Sequence, residues 1–252
     1  MLRLLAVGIF ALAPWAAFAT SVVVESSRGE VLANSAPVFQ GQPLLAEQNI
    51  TTGPGAQLVL RFDDGMQVAV NENSRLRMVD YRYIKGTNDR AVFDLLQGGA
   101  RVSTGEVARA NPKQFFFRTP QAQFGVQGPA DFSVVLVNPA YLAVHAGTVT
   151  AANGAGVVAF SAGSAATVAT SGVLATPIAA SSFPATASSA FGNLQAVAIS
   201  GPGGASGGAV AGAASGTGLG VALPVVFMGA AIAGAAGALK SDEESAAATT
   251  HH

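Results

Sequence analysis

An all-β fold is what this 252-residue sequence predicts, and three observations predict it. Apolar and polar residues alternate in short runs, turn residues separate those runs at regular spacing, and no helical periodicity emerges until late in the chain. The stretch from Thr51 to Met78 is the best specified. Leu58, Leu60 and Phe62 alternate with Gln57, Val59 and Arg61, the period of a strand with one buried face. A two-residue Asp64-Gly65 loop would set Phe62 opposite Gln67 and leave Val68 and Val70 on the wrong side. A three-residue loop, Asp63-Asp64-Gly65, pairs Phe62 with Met66, Leu60 with Val68 and Leu58 with Val70. It also puts Gly65 where a type I turn followed by a bulge needs a left-handed residue. Leu76 and Met78 extend the same apolar face.

In chain order, Met1–Ala19 carries Arg3, an apolar run from Leu4 to Phe18 and a small-x-small site at Ala17-Phe18-Ala19, which reads as a cleaved secretory signal. The mature chain then begins at Thr20. With no cysteine anywhere, the exported fold holds no disulfide and carries no lipoprotein anchor. Val-rich runs at Ser21–Glu25 and Gly29–Leu32 read as first strands, and turn chemistry brackets Leu44–Ile50. Gly86-Thr87-Asn88-Asp89 marks a tip, Phe93 and Leu95 resume the alternation, and Gly98-Gly99 is expected to turn the chain before Ala100 and Val102. Phe115–Phe117 and the set Ala122, Phe124 and Val126 follow. Phe132–Val137 is apolar on both faces, as a central strand covered from two sides would be. Leu142–Val149 and Val157–Val168 repeat the pattern, with Gly147, Gly154 and Gly163 at the turns.

Charge divides the chain. Every Asp, Glu, Lys and Arg of the mature sequence lies between Glu25 and Asp131 or between Lys240 and Glu244, and none lies from Phe132 to Leu239. The signs nearly balance, at a formal net charge of -1, so no nucleic acid is expected as a partner. Residues 20–170 are read as one domain and 171–217 as an Ala/Gly/Ser/Thr-rich tether in which Phe183, Phe191 and Leu194 have enough apolar surface to dock. Gly218–Leu239, 22 uncharged residues with Gly229, Ala233 and Gly237 on one face, is expected to be a membrane-spanning helix, and 240–252 a polar tail.

Several of these segments also carry a resemblance. Thr52-Gly53, Leu58 to Gly65, Ser74 before Leu76, Asp94-Leu95-Leu96-Gln97-Gly98, Phe117-Arg118-Thr119-Pro120, Gly125-Val126-Gln127-Gly128, Ala146-Gly147-Thr148-Val149 and Ala162-Gly163 before Ala166-Thr167-Val168 occur in the order and spacing of the FecR-type periplasmic domain, over about Val31 to Val168. Gln127-Gly128-Pro129 stands where that family usually has Arg-Gly-Thr. The resemblance implies a twisted β fold, solenoid-like or sandwich-like, without catalysis or cofactor. In the best-known members the domain senses an outer-membrane transporter and signals across the inner membrane to a sigma factor through an anti-sigma segment. Here only the signal peptide precedes the domain, so a stand-alone form without that segment is expected and sigma-factor control is not carried over.

Reactive chemistry is sparse. His145 is the one histidine of the folded part and reads as a surface strand residue, which leaves no Cys-His pair and no metal cluster. Adjacent Asp63 and Asp64 before Gly65 read as turn residues. Arg75, Arg77, Tyr81, Arg82 and Tyr83 are the candidate partner-binding face: Arg75 and Arg77 project opposite Leu76 and Met78, and Tyr81, Arg82 and Tyr83 follow closely. The functional expectation is a non-enzymatic module of the periplasm or cell envelope, held near the inner membrane by its C-terminal segment and binding another envelope protein. The alternative is a structural or glycan-binding envelope protein.

Overall fold

In the computed structural model, which describes residues 22–85 and 88–199, the chain runs mostly as strand. The described residues all fall in one of the two units into which the chain divides, Met1–Gly207. The strands β1 (Val22–Arg28), β2 (Val31–Ala33), β3 (Ala36–Pro37), β4 (Pro43–Leu44), β5 (Asn49–Thr52), β6 (Gln57–Phe62), β7 (Gln67–Val70) and β8 (Arg75–Arg82) lead to the longest, β9 (Arg90–Ser103). A short helix, α1 (Glu106–Ala110), precedes β10 (Phe115–Arg118), β11 (Gln123–Val126), β12 (Asp131–Leu136) and β13 (Ala140–Ala146). Then come β14 (Thr148–Asn153), β15 (Gly156–Ser161), β16 (Ala165–Val168), β17 (Thr176–Ile178) and the helix α2 (Ala185–Ala196).

The strands form two hydrogen-bonded sets that share β9. The first runs β4-β1-β6-β7-β9-β12-β13-β16-β17, and the second runs β3-β2-β5-β8-β9-β10-β11-β14-β15. Within β9, Arg90–Gln97 pairs with β8 and, in parallel, with β10, while Gly98–Ser103 pairs with β7 and β12. Gly98-Gly99 therefore does not reverse the chain, as the sequence led one to expect. It bends one continuous strand so that its halves serve different sheets, and Gly98 takes φ +80° to do so. The reason is local: Ser74 sits against the bend, with Gly99 N–H donating to Ser74 Oγ at 3.0 Å. A Cβ on Gly98 would come within 2.6 Å of Ser74 Cα.

The β6–β7 hairpin has the register read from the sequence, with Leu58 opposite Val70 and Leu60 opposite Val68. Phe62 N–H donates to Met66 O at 2.9 Å, and Gly65 takes φ +82° in the three-residue loop. Leu58, Leu60, Phe62, Val68 and Val70 from the first set bury against Leu76, Met78, Phe93, Phe117 and Phe124 from the second in one apolar core. Edge-to-face ring pairs, Phe62 with Phe93 at 5.5 Å and Phe117 with Phe132 at 5.8 Å, tie the two sets together. Strand β12 is buried on both sides as expected, with Phe132 and Val134 in the main core and Val135 in a second cluster on the outer face of the first set.

That second cluster is where α2 docks. Ala187, Phe191 and Leu194 lie over Val59, Ala69 and Val135. Phe183 stacks beside Phe191 with ring centroids 4.7 Å apart and meets Tyr141 edge-on. Pro184 stands at the N-cap with φ -62°, the value its ring fixes, and Ala, Gln and Leu supply helix propensity. The three residues able to dock thus do so, and β17 and α2 occupy the first part of the stretch read as a tether. The signal segment 1–19, the stretch Gly218–Leu239 and the tail 240–252 lie outside the described residues. Among the described residues no helix is long and apolar enough to cross a membrane.

The bend in β9 makes a testable comparison. Gly98 and Gly41 share φ +80°, but a Cβ at Gly41 would meet nothing within 4 Å. Gly41→Ala is expected to cost about 1 kcal/mol, the left-handed penalty alone. Gly98→Ala is expected to cost at least about 2 kcal/mol more, because the backbone around Ser74 has to move. Urea denaturation of both variants measures the difference.

Candidate interaction face

The outward side of the second set, across β8, β9 and β10, gathers the densest charge of the described fold. Register places Arg77 opposite Asp94, and Asp94 beside Arg118 across the parallel β9–β10 pair. Arg77 donates through Nε to Asp94 Oδ2 at 3.2 Å and also through Nη2, and Arg118 Nε donates to Asp94 Oδ1 at 2.7 Å. One carboxylate, with its side chain 11% exposed, thus holds two guanidinium groups that are themselves about half exposed (48% and 40%). One turn of the pattern away, Asp80 lies between Arg82 and Arg90, at 3.9 and 3.4 Å. The Arg90 guanidinium sits 5.8 Å above the Phe116 ring, a cation–π distance. Arg75 projects from the same side of β8 and is exposed, with no ion pair among the described residues. Two aspartates thus organise four arginines on adjacent strands with Arg75 as a fifth beside them, and the face carries an excess of positive charge in a chain whose overall charge is nearly balanced.

The five residues picked from the sequence are not one face. Arg75, Arg77 and Arg82 lie on it. Tyr81 does not: a bulge between Met78 and Asp80 shifts the alternation, and Tyr81 points into the core at 5% exposure. Its ring packs edge-on against Phe62 at 4.8 Å. Tyr83 lies past the end of β8, half-buried beside a cleft of about 610 Å³ lined also by Asp63, Asp64, Lys85, Asp89 and Glu106. Asp94, Arg90 and Arg118 were missed as site residues. For Asp94 and Arg118 the sequence does hold a signal, since each lies in one of the segments that carry the family resemblance and the fold pairs those two segments; for Arg90 it holds none.

Asp64 is more than a turn residue. Its Oδ1 accepts from Tyr81 Oη–H at 3.0 Å and from Met66 N–H at 3.1 Å, and its Oδ2 accepts from Val107 N–H at 3.2 Å. The carboxylate therefore ties the hairpin loop to the end of β8 and to the start of α1. Burial pushes its pKa above the ordinary value of 3.8, outweighing the hydrogen bonds, which pull it down. Burial and the neighbouring Asp64 charge push the Tyr81 hydroxyl far above its usual range. His145, expected at the surface, is half-buried with Nε2 2.8 Å from Ser133 Oγ. Burial lowers its pKa, the Asp131 charge opposes that, and Arg101 adds to it. Ser133 is fully buried and Asp131 is engaged by Arg101 at 2.9 and 2.7 Å, so this Ser-His contact presents no accessible nucleophile. Among the described residues no three His, Cys, Asp or Glu side chains gather as a metal site.

Residues 48–150 match the family model described as FecR protein. Over those residues the chain is similar to a FecR domain. The match runs from the residue before β5 into β14 and so contains every arginine of the face. Two crystal structures of a "putative anti-sigma factor" from Parabacteroides distasonis are similar to the chain, one at 21% identity and TM-score 0.43, the other at 20% and 0.42. Each match covers 52% of this chain and 59% of the other, so the chain spans less than two thirds of those proteins. No curated protein sequence matches it.

A pH measurement tests the Asp64 assignment. Because the native state holds this proton more tightly than the unfolded chain, the residue's contribution to stability falls as pH rises from about 3.8 through the raised native value, then levels off. The stability difference between the protein and Asp64→Asn, followed by urea denaturation across that range, is expected to decline with rising pH. A difference that stays flat or rises contradicts the assignment.

Proposed function

We propose that this chain is a non-enzymatic interaction module of the cell envelope, whose FecR domain binds another envelope protein through the arginine face of β8, β9 and β10. The observation that carries the proposal is the arrangement around Asp94. A single carboxylate holds Arg77 and Arg118 in place while leaving both guanidinium groups about half accessible, beside an exposed Arg75, which has no ion pair among the described residues, and the Arg90–Phe116 stack. Guanidinium groups fixed this way have lost rotamer freedom before binding, so less is lost when they meet an acidic surface. The chemistry of the face fits a partner with carboxylates, read bidentately by arginine.

The rest of the chain fits that role. Residues 1–19 direct export, 20–170 form the binding domain, 171–217 include a tether beyond α2, 218–239 cross a membrane, and 240–252 lie beyond it. The two strand sets act as the layers of a twisted, solenoid- or sandwich-like fold, which presents the arginines on a broad strand surface rather than in a cleft. Broad surfaces of this kind suit protein partners better than small molecules.

The test is in-cell photo-crosslinking from position 75. A discrete protein adduct is expected, and Arg75→Glu with Arg82→Glu, scored through a crosslinker at the neighbouring Gln123, is expected to reduce it by at least about tenfold through lost charge complementarity. Both positions are exposed, so the fold is expected to be unaffected. Adducts of glycan or cell-wall material favour the structural reading instead. A protein adduct that survives charge reversal moves the site off this face.

A further inference from the structure

Each strand set ends in two edges, and an unpaired edge is a row of main-chain N–H and C=O groups open to another strand. Three of the four terminal strands are defended. β3 and β4 are two residues long and carry Pro37 and Pro43, and β17 is three residues long and carries Pro177. Proline removes a donor, and a strand of two or three residues offers little to pair with. β15 differs on every count. It runs six residues, Gly-Val-Val-Ala-Phe-Ser, with no proline, no charge and no register break against β14. Among the described residues it pairs on one side only.

Its side chains are placed for an additional strand. Phe160 is buried in the core and Val158 packs against it, while Val157, Ala159 and Ser161 are exposed, Val157 at 67%. In an antiparallel ladder the main-chain groups of every second residue point away from the existing neighbour, so β15 offers a regular set of unused donors and acceptors. Charge decides what fits. From Phe132 to Leu239 the chain has no Asp, Glu, Lys or Arg, so β13, β14, β15, β16 and their turns offer nothing to attract a charged segment and nothing to repel an identical one.

We infer that β15 is an association edge that pairs antiparallel with β15 of a second copy of this chain. Centred on Ala159, the pairing sets Val157 of one copy opposite Ser161 of the other and Val158 opposite Phe160, which keeps core-facing side chains on the core side. Both open edges close at once, as a two-fold interface requires. The axis stands perpendicular to the sheet, so the second sets of the two copies continue into one another and their outward faces lie on the same side. At ~4.8 Å per strand, the two β10 strands would be separated by roughly 34 Å. A strand pairing of this length alone buries less than a standard stable interface, so the dimer is reversible and concentration-dependent. This inference does not rest on the arginine face.

Analytical ultracentrifugation of the purified full chain in detergent solution, over a wide concentration range, tests it. The mass is expected to rise from one chain towards two. Val157→Lys, which places a charge on the edge without entering the core, is expected to remain a single chain where the parent protein is at least half dimeric, with unchanged circular dichroism and Tm. Ala159→Pro, which removes one N–H, is expected to do the same, and Arg75→Glu is expected to dimerise normally. A parent protein that stays monomeric throughout, or an assembly that Val157→Lys leaves intact, overturns the inference.

Discussion

The passage of β9 from one strand set to the other is the constraint on which the rest of the structure depends. Strands that change sheets leave main-chain groups without ladder partners at the crossing, and each such buried group costs about 1–3 kcal/mol if left unsatisfied. Here hydroxyl groups do the satisfying. Ser74 Oγ accepts from Gly99 N–H at 3.0 Å and contacts Glu72 O and Gly99 O, while Thr52 Oγ1 accepts from Ser74 N–H at 2.9 Å and donates to Asn71 O. All of this is possible only because no side chain stands at Gly98. The bend, the serine and the glycine form one unit.

Because β9 belongs to both sets, it also couples the core to the surface. On its inner side Phe93 and Leu95 fill the space against Phe62, Leu76 and Phe117, so the strand cannot slide without emptying the core. On its outer side the next position, Asp94, gathers Arg77 and Arg118 from the strands on either side. The register that packs the phenylalanines is the register that sets the spacing of the guanidinium groups. The surface thus takes its spacing from the core beneath it.

Local pattern made much of this legible. The β6–β7 hairpin could be read to the residue because a one-residue slip would move Val68 and Val70 to the wrong face, and only one loop length avoids it. The burial of β12 on both sides, and the docking of Phe183, Phe191 and Leu194, were likewise written in side-chain size and polarity. What escaped was non-local. Two adjacent glycines look like a turn unless Ser74 is known to lie against them. Tyr81 looks exposed unless the bulge after Met78 is seen, and no periodicity argument announces an extra residue. The arginine face needed the parallel β9–β10 pairing, which joins segments 24 residues apart in the case of Asp94 and Arg118. α1 is five residues long and held at its start by Asp64 from a distant loop, so its own sequence carries little helical signal.

Native-state hydrogen exchange resolved to single amides of β9 tests the central claim most directly. If this strand joins both sets into one cooperative unit, the amides of Val92 to Leu95 and those of Ala100 to Val102 exchange only through global unfolding, with the same free energy and the same denaturant dependence. If one half of β9 opens at distinctly lower free energy than the other, the two sets are separate units, and the account of a single strand governing both core and face is wrong.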